Sequence, residues 1–339
     1  MNNFNEFKQF SETDIRPAKF DDEHNRVTLE DINMLQSKKN EFVTSNCPAC
    51  NLDDSTNEFL KNGFNYEKCN NCQTTYINPR PSPEILKWFY RNSKNYDFWN
   101  NVMYPASEKS RRKNIILPRV NKTIDLCHKY ETEMNSLLEV GAGFGSFCSE
   151  IKSTKKFKRI VAIEPTPELA STCRKKEIET IESSIEDIDF STEKFDVVVN
   201  FEVIEHLFSP KEFLLQIKNV LNDEGLLILS CPNGMGFDIR LLREKSSAID
   251  HEHLNYFNPF SMSLLLKDCG YRVLDVFTPG KLDTELVRNK ILSGDLVLKD
   301  NDFVKQILID NWKEIGNNFQ QFLVNHNMSS NMWAVAQKV

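Results

Sequence analysis

Residues 137–145 have the sequence Leu-Leu-Glu-Val-Gly-Ala-Gly-Phe-Gly, a short apolar run followed by glycine at three alternate positions. The run Leu137–Val140 has the length of a buried strand. The glycines allow a tight turn and let the backbone come close to a ligand at the start of a helix. A helical pattern through Phe147 and Ile151 follows. This stretch therefore predicts a strand, a glycine turn and a helix in succession.

Further apolar runs continue the alternation of strands and helices. Arg159–Ile163 predicts a second strand, and it ends at Glu164, whose carboxylate can accept hydrogen bonds from both ribose hydroxyls of a nucleoside. Phe195–Val199 and Leu226–Leu229 predict two more buried strands, with helices between them. Alternation of this kind predicts a largely parallel, doubly wound α/β sheet.

Four segments of this region resemble the successive motifs of class I S-adenosylmethionine (SAM)-dependent methyltransferases. They are residues 138–145, Glu164, residues 184–188 and residues 201–207. The resemblance covers about residues 130–282. It implies a Rossmann-like sheet of seven strands, enzymatic methyl transfer and SAM as the cofactor. It also implies a final antiparallel strand pair, formed here by Tyr271–Phe277 and Met332–Gln337.

The resemblance also implies which residues bind SAM. The glycine turn would surround the methionine part, the acidic residue after the second strand would bind the ribose, the third motif would face the adenine, and the fourth would border the sulfonium. In that order they are Glu139, Gly141, Gly143 and Gly145; Glu164; Ile185 and Glu186; and Phe201 and Glu202. In the wider family a helical segment before the sheet closes over SAM. Of the three tyrosines there (Tyr90, Tyr96, Tyr104), we expect Tyr96 to reach the SAM carboxylate.

Two Cys-x-x-Cys pairs, separated by eighteen residues, precede the sheet region. Two residues between thiolates let one turn direct both sulfur atoms at one ion, and two such turns supply four tetrahedral ligands. Because four cysteines leave no position for a catalytic water, the pattern predicts a structural zinc ion. Disulfides are the alternative, and a reducing compartment disfavours them. The expected ligands are Cys47, Cys50, Cys69 and Cys72.

Composition and charge indicate a globular protein that is not held to DNA or RNA mainly by contacts with phosphate groups. The 339 residues exceed one compact unit, 40% of them are hydrophobic, and the formal charge is −7. The acidic balance argues against nucleic-acid binding by the zinc module. The N-terminus lacks a secretory signal, and no apolar run approaches the ~18 residues of a membrane span. We therefore expect a cytoplasmic protein.

Methyl transfer to an alcohol or an acidic carbon needs a base, and histidine is the usual one at neutral pH. We expect His253 to be that base and Glu252 to orient or charge-balance an imidazole. In an extended stretch His251 and His253 would share one side, with Glu252 opposite. Their spacing lacks the i, i+4 pair of a helical zinc site, which argues against metal catalysis. His206, after the strand that borders the sulfonium, is the rival base.

A zinc module, a SAM domain and a His-Glu-His run before a helix resemble methyltransferases that act on sugars in polysaccharide or deoxysugar pathways. Some of these methylate the carbon next to a keto group, with a Glu-His pair handling the proton, which Glu252 and His253 match. This chain departs from the C-methylating group in two ways: Asp250 stands where the group commonly has tyrosine, and a helical insertion replaces the group's large C-terminal domain. O-methylation of a sugar hydroxyl is therefore at least as well supported as C-methylation. The implied substrate is a sugar or nucleotide sugar, whose diphosphate Arg111 and Arg112 could hold.

Two other functions remain open from the sequence. One is methylation of a small metabolite or quinone-like ring, which would need an apolar acceptor pocket. The other, of a different class, is a zinc-ribbon protein that binds or modifies RNA, against which the acidic balance speaks.

The sequence predicts six segments. A polar N-terminal extension is followed by the zinc ribbon, a helical cap, the SAM-binding domain, a helical insertion suited to packing or to a homodimer surface, and the last strand of the sheet. Their ranges are 1–45, 46–83, 84–130, 131–282, 283–328 and 329–339.

Overall fold

A computed structural model describes residues 10–188, 193–298 and 302–339, and the statements below refer to these ranges. The strands are β1 (Ser55–Lys61), β2 (Phe64–Cys69), β3 (Thr75–Ile77), β4 (Ser136–Val140), β5 (Arg159–Ile163), β6 (Glu179–Ile181), β7 (Phe195–Phe201), β8 (Leu221–Pro232), β9 (Asn255–Tyr256), β10 (Tyr271–Phe277) and β11 (Asn331–Lys338).

The helices lie before, between and after these strands. They are α1 (Asp21–Gln36), α2 (Pro83–Asn92), α3 (Lys94–Phe98), α4 (Tyr104–Arg111), α5 (Leu117–Lys129), α6 (Ser146–Ser153), α7 (Pro167–Lys175), α8 (Pro210–Val220), α9 (Phe237–Leu242), α10 (Pro259–Asp268), α11 (Asp283–Leu292), α12 (Asp302–Lys305) and α13 (Trp312–Asn325). Among the described residues, none of the helices is both long and apolar enough to cross a lipid bilayer.

The large sheet has seven strands in the order β10-β11-β8-β7-β4-β5-β6. The neighbours from β8 to β6 run parallel, whereas β11 is antiparallel to both β8 and β10. The predicted mixed α/β sheet with a closing antiparallel pair is confirmed. All seven residues of β7 are buried, as expected for a central strand with helices on both faces.

Successive residues of β4 point to opposite faces of the sheet and join two separate cores. Leu138 belongs to the cluster that contains Phe213 of α8 and Leu266 of α10. Leu137 belongs to the cluster that contains Phe147 of α6. Each such fully buried side chain stabilises the fold by roughly 1.5–3 kcal/mol relative to exposure, so the apolar strands fix the sheet and the helices that cover it.

Strand β4 is the point at which the chain order reverses in the sheet. β5 and β6 continue on one side of β4, and β7 and β8 on the other. In open α/β sheets ligands bind at such a switch point, beyond the carboxyl ends of the strands. The glycine turn after β4, Glu164 after β5 and Glu202 after β7 all lie at this edge.

A second sheet, of order β1-β2-β3-β9, joins the cysteine-rich segment to the rest of the chain. β1 and β2 form a hairpin, whose two-residue turn is Asn62 and Gly63. β9, which follows the His-Glu-His run in sequence, pairs with β3 through Tyr76 and Asn255. The loop that carries the acceptor-side candidates is therefore held by the cysteine-rich segment.

Three helices, α11 to α13, lie between the last two strands of the large sheet. Val287 of α11 packs with Leu242 of α9 and with Leu308 in one apolar cluster. The N-terminal helix α1 is also built into the fold, because Ile32 and Leu35 pack with Phe64 of the hairpin.

Candidate functional site

A cavity of about 880 Å³ opens at the switch point of the sheet. Gly143, Phe144 and Glu202 line it on the side of the sheet, and His206 and His253 line it on the other. The outer wall comes from α1, the β1–β2 turn and α11. One cavity thus joins the glycine turn to the His-Glu-His loop.

The glycine turn requires a backbone that other residues avoid. The φ angles of Gly141, Gly143 and Gly145 are 77°, 54° and 63°. A methyl group at Gly141 would lie 2.5 Å from Val203 Cγ2, whereas one at Gly143 would meet nothing within 4 Å. Gly141 therefore allows close packing against the loop after β7, and Gly143 leaves open space at the cavity wall.

Glu164 holds the glycine turn in place. Its Oε2 accepts a hydrogen bond from the Gly143 N–H at 2.7 Å, and its Oε1 accepts one from the Thr166 N–H at 2.9 Å. Burial raises the pKa of this carboxyl, and the two backbone donors oppose that shift. The side chain predicted to bind the ribose lies directly behind the cavity wall.

Glu139 is buried beneath the same turn. Its Oε2 has no hydrogen-bond partner among the described residues. Burial raises its pKa to about 7, and the Cys148 thiol and Arg119 oppose the shift. An unpaired carboxylate oxygen in this position is suited to a cationic ligand group, such as the ammonium of an amino acid.

Glu202 borders the cavity in a strained conformation, with φ of 57°. Its Oε1 accepts hydrogen bonds from Arg119 at 3.1 Å, from Asn331 at 3.1 Å and from the Ser230 hydroxyl. Three donors on one oxygen fix this carboxylate at the end of β7, which explains how a non-glycine residue keeps that backbone.

Gly143, Glu202 and Tyr96 line the cavity, whereas the other described cofactor candidates do not, namely Glu139, Gly141, Gly145, Glu164, Ile185 and Phe201. Phe201 and Ile185 lie in the core. Phe201 packs against Phe147 and Trp333, with ring centroids 5.0 and 5.3 Å away. Ile185 is 2% exposed and belongs to the main core cluster. The side chain of Glu186 lies outside the described part of the chain.

The tyrosines of the helical cap take different positions. Tyr96, the predicted SAM contact, lines the cavity and packs edge-on against Tyr90, and burial raises its pKa. Tyr104 stacks on Phe144 of the glycine turn with centroids 3.8 Å apart, and its hydroxyl is 2.6 Å from Ser146 Oγ. The sequence analysis did not predict this stack. The signal that could have indicated it was an aromatic residue, Phe144, inside the glycine turn.

His206 and His253 face each other across the acceptor side of the cavity, with ring centroids 4.6 Å apart. His206 Nδ1 lies 3.1 Å from the Glu252 carbonyl oxygen, and His253 Nδ1 lies 3.1 Å from the Ala248 carbonyl oxygen. Because a carbonyl only accepts, each Nδ1 donates, and each Nε2 carries the lone pair. Burial lowers the pKa of His206 to about 3, so this imidazole is neutral.

The His-Glu-His run is not extended, so the predicted alternation of its side chains is wrong. Asp250 Oδ1 accepts hydrogen bonds from the backbone N–H groups of Glu252 and His253, both at 2.9 Å, which bends the chain. Buried His251 packs edge-on against Phe89, away from His253.

The Glu252 carboxylate does not contact the expected base. Its Oε1 accepts a hydrogen bond from Asn95 at 2.6 Å and lies 3.8 Å from His251 Nε2. Burial raises its pKa to about 8, and the Asp250 carboxylate adds to the shift. The imidazole that lies near the Glu252 carboxylate is therefore that of His251, whereas it is the Glu252 backbone carbonyl that contacts His206.

Sequence reasoning assigned no role to Glu205, which is fully buried beside the two facing histidines. Neither of its carboxylate oxygens has a hydrogen-bond partner among the described residues. One oxygen of Glu205 and one ring nitrogen each of His206 and His253 lie within 4.8 Å of one another. Burial raises the pKa of Glu205 well above its ordinary value.

The four predicted zinc ligands come together, with their sulfur atoms within 4.8 Å of one another. The Cys47–Cys72 and Cys50–Cys69 sulfur distances are 3.4 and 3.5 Å, and all four cysteines are free thiols. Tetrahedral bonds of about 2.3 Å to one ion require sulfur separations of about 3.8 Å, so the group fits zinc.

The two arginines considered for a diphosphate do not line the cavity. Arg112 pairs with Glu150 at the surface. Arg111 donates to the Ser107 hydroxyl and the Ile15 carbonyl. Among the described residues, the basic side chains of the cavity wall other than histidine are Arg16, Lys61 and Lys290.

Comparison with known proteins gives one matching family model, described as a methyltransferase domain, over residues 109–276. A Mycobacterium tuberculosis protein, described as a probable S-adenosylmethionine-dependent methyltransferase, is 28% identical over 40% of this chain and 48% of that protein. The C-methyltransferase NovU of Streptomyces niveus is 24% identical over 62% of this chain and 47% of that protein. The chain thus spans about half the length of these curated relatives.

Solved structures include the plantazolicin methyltransferase BpumL in complex with SAH. It superposes with a TM-score of 0.48 at 15% identity, over 75% of this chain and 93% of that one.

Proposed function

We propose that this protein, whose residues 109–276 match a methyltransferase-domain family model and which is similar to a probable S-adenosylmethionine-dependent methyltransferase, transfers the methyl group of SAM to a sugar, either nucleotide-linked or part of a polysaccharide precursor. The observation that carries the proposal is one cavity of about 880 Å³, which has the glycine turn on one wall and two facing histidines on the other.

The donor would bind at the edge of the sheet. The Glu164 carboxylate already accepts from the Gly143 backbone, and it retains acceptor capacity for ribose hydroxyls. The unpaired oxygen of Glu139 suits the ammonium of the methionine part. Bound SAM supplies an electrophilic methyl group on a sulfonium.

A polar acceptor suits the opposite wall. Asn95, Asp250 and His251 line it beside His253, and a polyhydroxylated ligand can satisfy such groups whereas a quinone-like ring would leave them unpaired. This polarity favours a sugar over the apolar ring considered above. Transfer can end on a hydroxyl oxygen or on a carbon next to a keto group, and a relative named as a C-methyltransferase keeps both outcomes open.

His253 is the proposed base. Its Nδ1–H is held by the Ala248 carbonyl, so Nε2 can take the proton from the acceptor as the acceptor attacks the methyl carbon. The methyl–sulfur bond breaks, and its electrons neutralise the sulfonium. Glu252, through Asn95 and its backbone, would position this side of the cavity.

The four cysteines would hold a structural zinc ion. Four sulfur atoms within 4.8 Å of one another suit the tetrahedral ligand set of zinc, and the ion would stabilise the small sheet to which β9 belongs.

The base assignment is tested by parallel substitutions. His253→Asn should lower turnover roughly 10²–10⁴-fold with SAM affinity retained. The assay is transfer of labelled methyl from saturating SAM to a panel of nucleotide sugars. If His206→Asn abolishes turnover while His253→Asn is near normal, the base is His206, and near-normal rates for both variants exclude both histidines.

The donor site is tested separately by calorimetry. Glu164→Ala should weaken SAM binding at least tenfold, because each hydrogen bond to a charged group contributes about 1.5–3 kcal/mol. Glu179→Ala, which removes an exposed carboxylate on β6, is the matched control and should bind SAM normally. Equal affinity of the two variants would contradict the donor site.

A further inference from the structure

Glu205, His206 and His253 form a group of ligand-type side chains at the acceptor wall. One ligand atom of each lies within 4.8 Å of the other two. Bonds of about 2.0–2.2 Å to one ion place neighbouring ligand atoms about 3 Å apart, which lies within this limit. Two histidines and one carboxylate on one face of an ion, with the other positions open, are a recurrent transition-metal set.

Both imidazoles make the second hydrogen bond that metal-ligating histidines usually make. Each donates Nδ1–H to a backbone carbonyl, His206 to Glu252 and His253 to Ala248. This second hydrogen bond fixes the ring and the tautomer, and it leaves Nε2 as the free electron pair. No hydrogen bond to either Nε2 occurs among the described residues of the chain.

The carboxylate supplies an independent observation. Glu205 has 0% exposure, and both of its oxygens lack a partner among the described residues. A buried carboxyl group without any hydrogen bond costs free energy unless something binds it. Arg119 and Asn95 do not supply the missing donor, because Arg119 donates to Glu202 and Asn95 donates to Glu252.

We propose that Glu205, His206 and His253 bind one divalent transition-metal ion at the wall of the cavity. Sequence spacing argued against metal catalysis at the His-Glu-His run, but the fold adds two ligands from the loop after β7. This ion is distinct from the proposed structural zinc, whose ligands would be the four thiols of the cysteine-rich segment. Nitrogen and oxygen ligands suit manganese, iron, cobalt, nickel or zinc.

The ion would activate the acceptor, and this step alone rests on the proposed function. His206 and His253 line the cavity, so the open coordination positions face the substrate. An acceptor hydroxyl bound there loses its proton to a cavity water at neutral pH. The resulting oxyanion attacks the methyl carbon, the carbon–sulfur bond breaks, and its electron pair stays on sulfur. With the ion bound, the proton goes to water, and His253 acts as a ligand.

The test is a metal count. Wild-type protein, Glu205→Gln and His253→Asn are incubated with excess Co²⁺ and desalted, and all first-row metals are measured per chain by mass spectrometry. Wild type should hold one ion more than either variant. His128→Asn and Glu212→Gln, which alter exposed residues of α5 and α8, are the matched controls and should keep the wild-type count.

Equal metal content in wild type and in both site variants would overturn the proposal. The count for wild type and the controls does not depend on methyl transfer, so the metal site and the proposed function can fail separately.

The rate of Glu205→Gln distinguishes the two mechanisms. If His253 is a base and no ion is bound, the rate of Glu205→Gln stays near normal. If the ion activates the acceptor, Glu205→Gln loses the ion and its rate falls at least tenfold, because changing even the supporting residues of metal sites lowers metal affinity or activity 10–100-fold. If one variant fails to fold, as judged by circular dichroism, the other decides.

Discussion

At the scale of single residues, Glu139 makes stability depend on pH. Burial raises its pKa from 4.5 to about 7, against the Cys148 thiol and Arg119, with Glu164 adding to the increase. The folded protein therefore keeps a proton that the unfolded chain has lost. This group stabilises the fold less as pH rises, and about 3 kcal/mol is lost between roughly pH 4.5 and 7.

We therefore expect Glu139→Gln to flatten the pH dependence of ligand-free protein and to raise its stability at pH 8. The measurement is urea unfolding of wild type and variant at pH 5, 6.5 and 8. The comparison isolates Glu139, since every other titrating group is common to both proteins. Parallel curves for the two proteins would show that Glu139 does not hold a proton when folded.

The histidines show what single residues reveal in sequence. His206 and His253 were both visible as candidate bases, because histidine after a sheet strand or in an acceptor loop is an available proton acceptor. Their contact, with centroids 4.6 Å apart, was not visible. Nor was the turn at Asp250, which directs His251 and His253 to different partners.

At the scale of elements, the glycine turn is constrained at one position far more than at its neighbour. Gly141→Ala should destabilise the protein by about 2–3 kcal/mol, through φ of 77° and a contact of 2.5 Å with Val203. Gly143→Ala is the matched control: it also has positive φ but open space, and it should cost about 1 kcal/mol.

The cause can be checked by a double-mutant cycle with Val203→Ala, measured by denaturant unfolding. Removal of the valine methyl groups should recover at least about 1 kcal/mol of the Gly141→Ala loss. Strict additivity of the two substitutions would mean that Val203 is not what excludes a side chain at Gly141.

At the scale of the whole molecule, the cysteine-rich segment supports the loop that carries the proposed acceptor-side residues. β3 pairs with β9 directly after His253, and the Asn258 side chain, which caps α10, donates to the Cys72 carbonyl at 2.9 Å. The proposed donor site lies on the other sheet, at the ends of β4 and β5. If the four cysteines hold the proposed zinc, loss of the ion should therefore disturb the acceptor side of the cavity more than the binding of SAM.

We expect Cys47→Ser to lower the rate of methyl transfer at least tenfold while SAM affinity changes by less than about threefold, because structural zinc supplies folding energy to its own module first. Rate and calorimetric affinity are measured on the same preparation. Cys127→Ala, a buried cysteine on the opposite face of the large sheet, is the control and should retain its rate. An equal loss of both properties in Cys47→Ser would indicate general unfolding.

The amino-acid sequence by itself determined the α/β sheet, the positions of β4, β5 and β7, the glycine turn and the grouping of four cysteines. Each of these depends on residue types at short, fixed spacing, namely apolar runs, glycines two apart and Cys-x-x-Cys pairs, because local backbone geometry and burial dictate them.

Only the tertiary structure decided which distant side chains meet. Tyr104 stacks on Phe144, Asn95 binds Glu252, and His253 joins Glu205 and His206. These partners are about 40 to 157 residues apart in sequence. Their contacts follow from strand order and from the pairing of β3 with β9, and the physical reason is that packing of whole elements, rather than local spacing, brings such groups together.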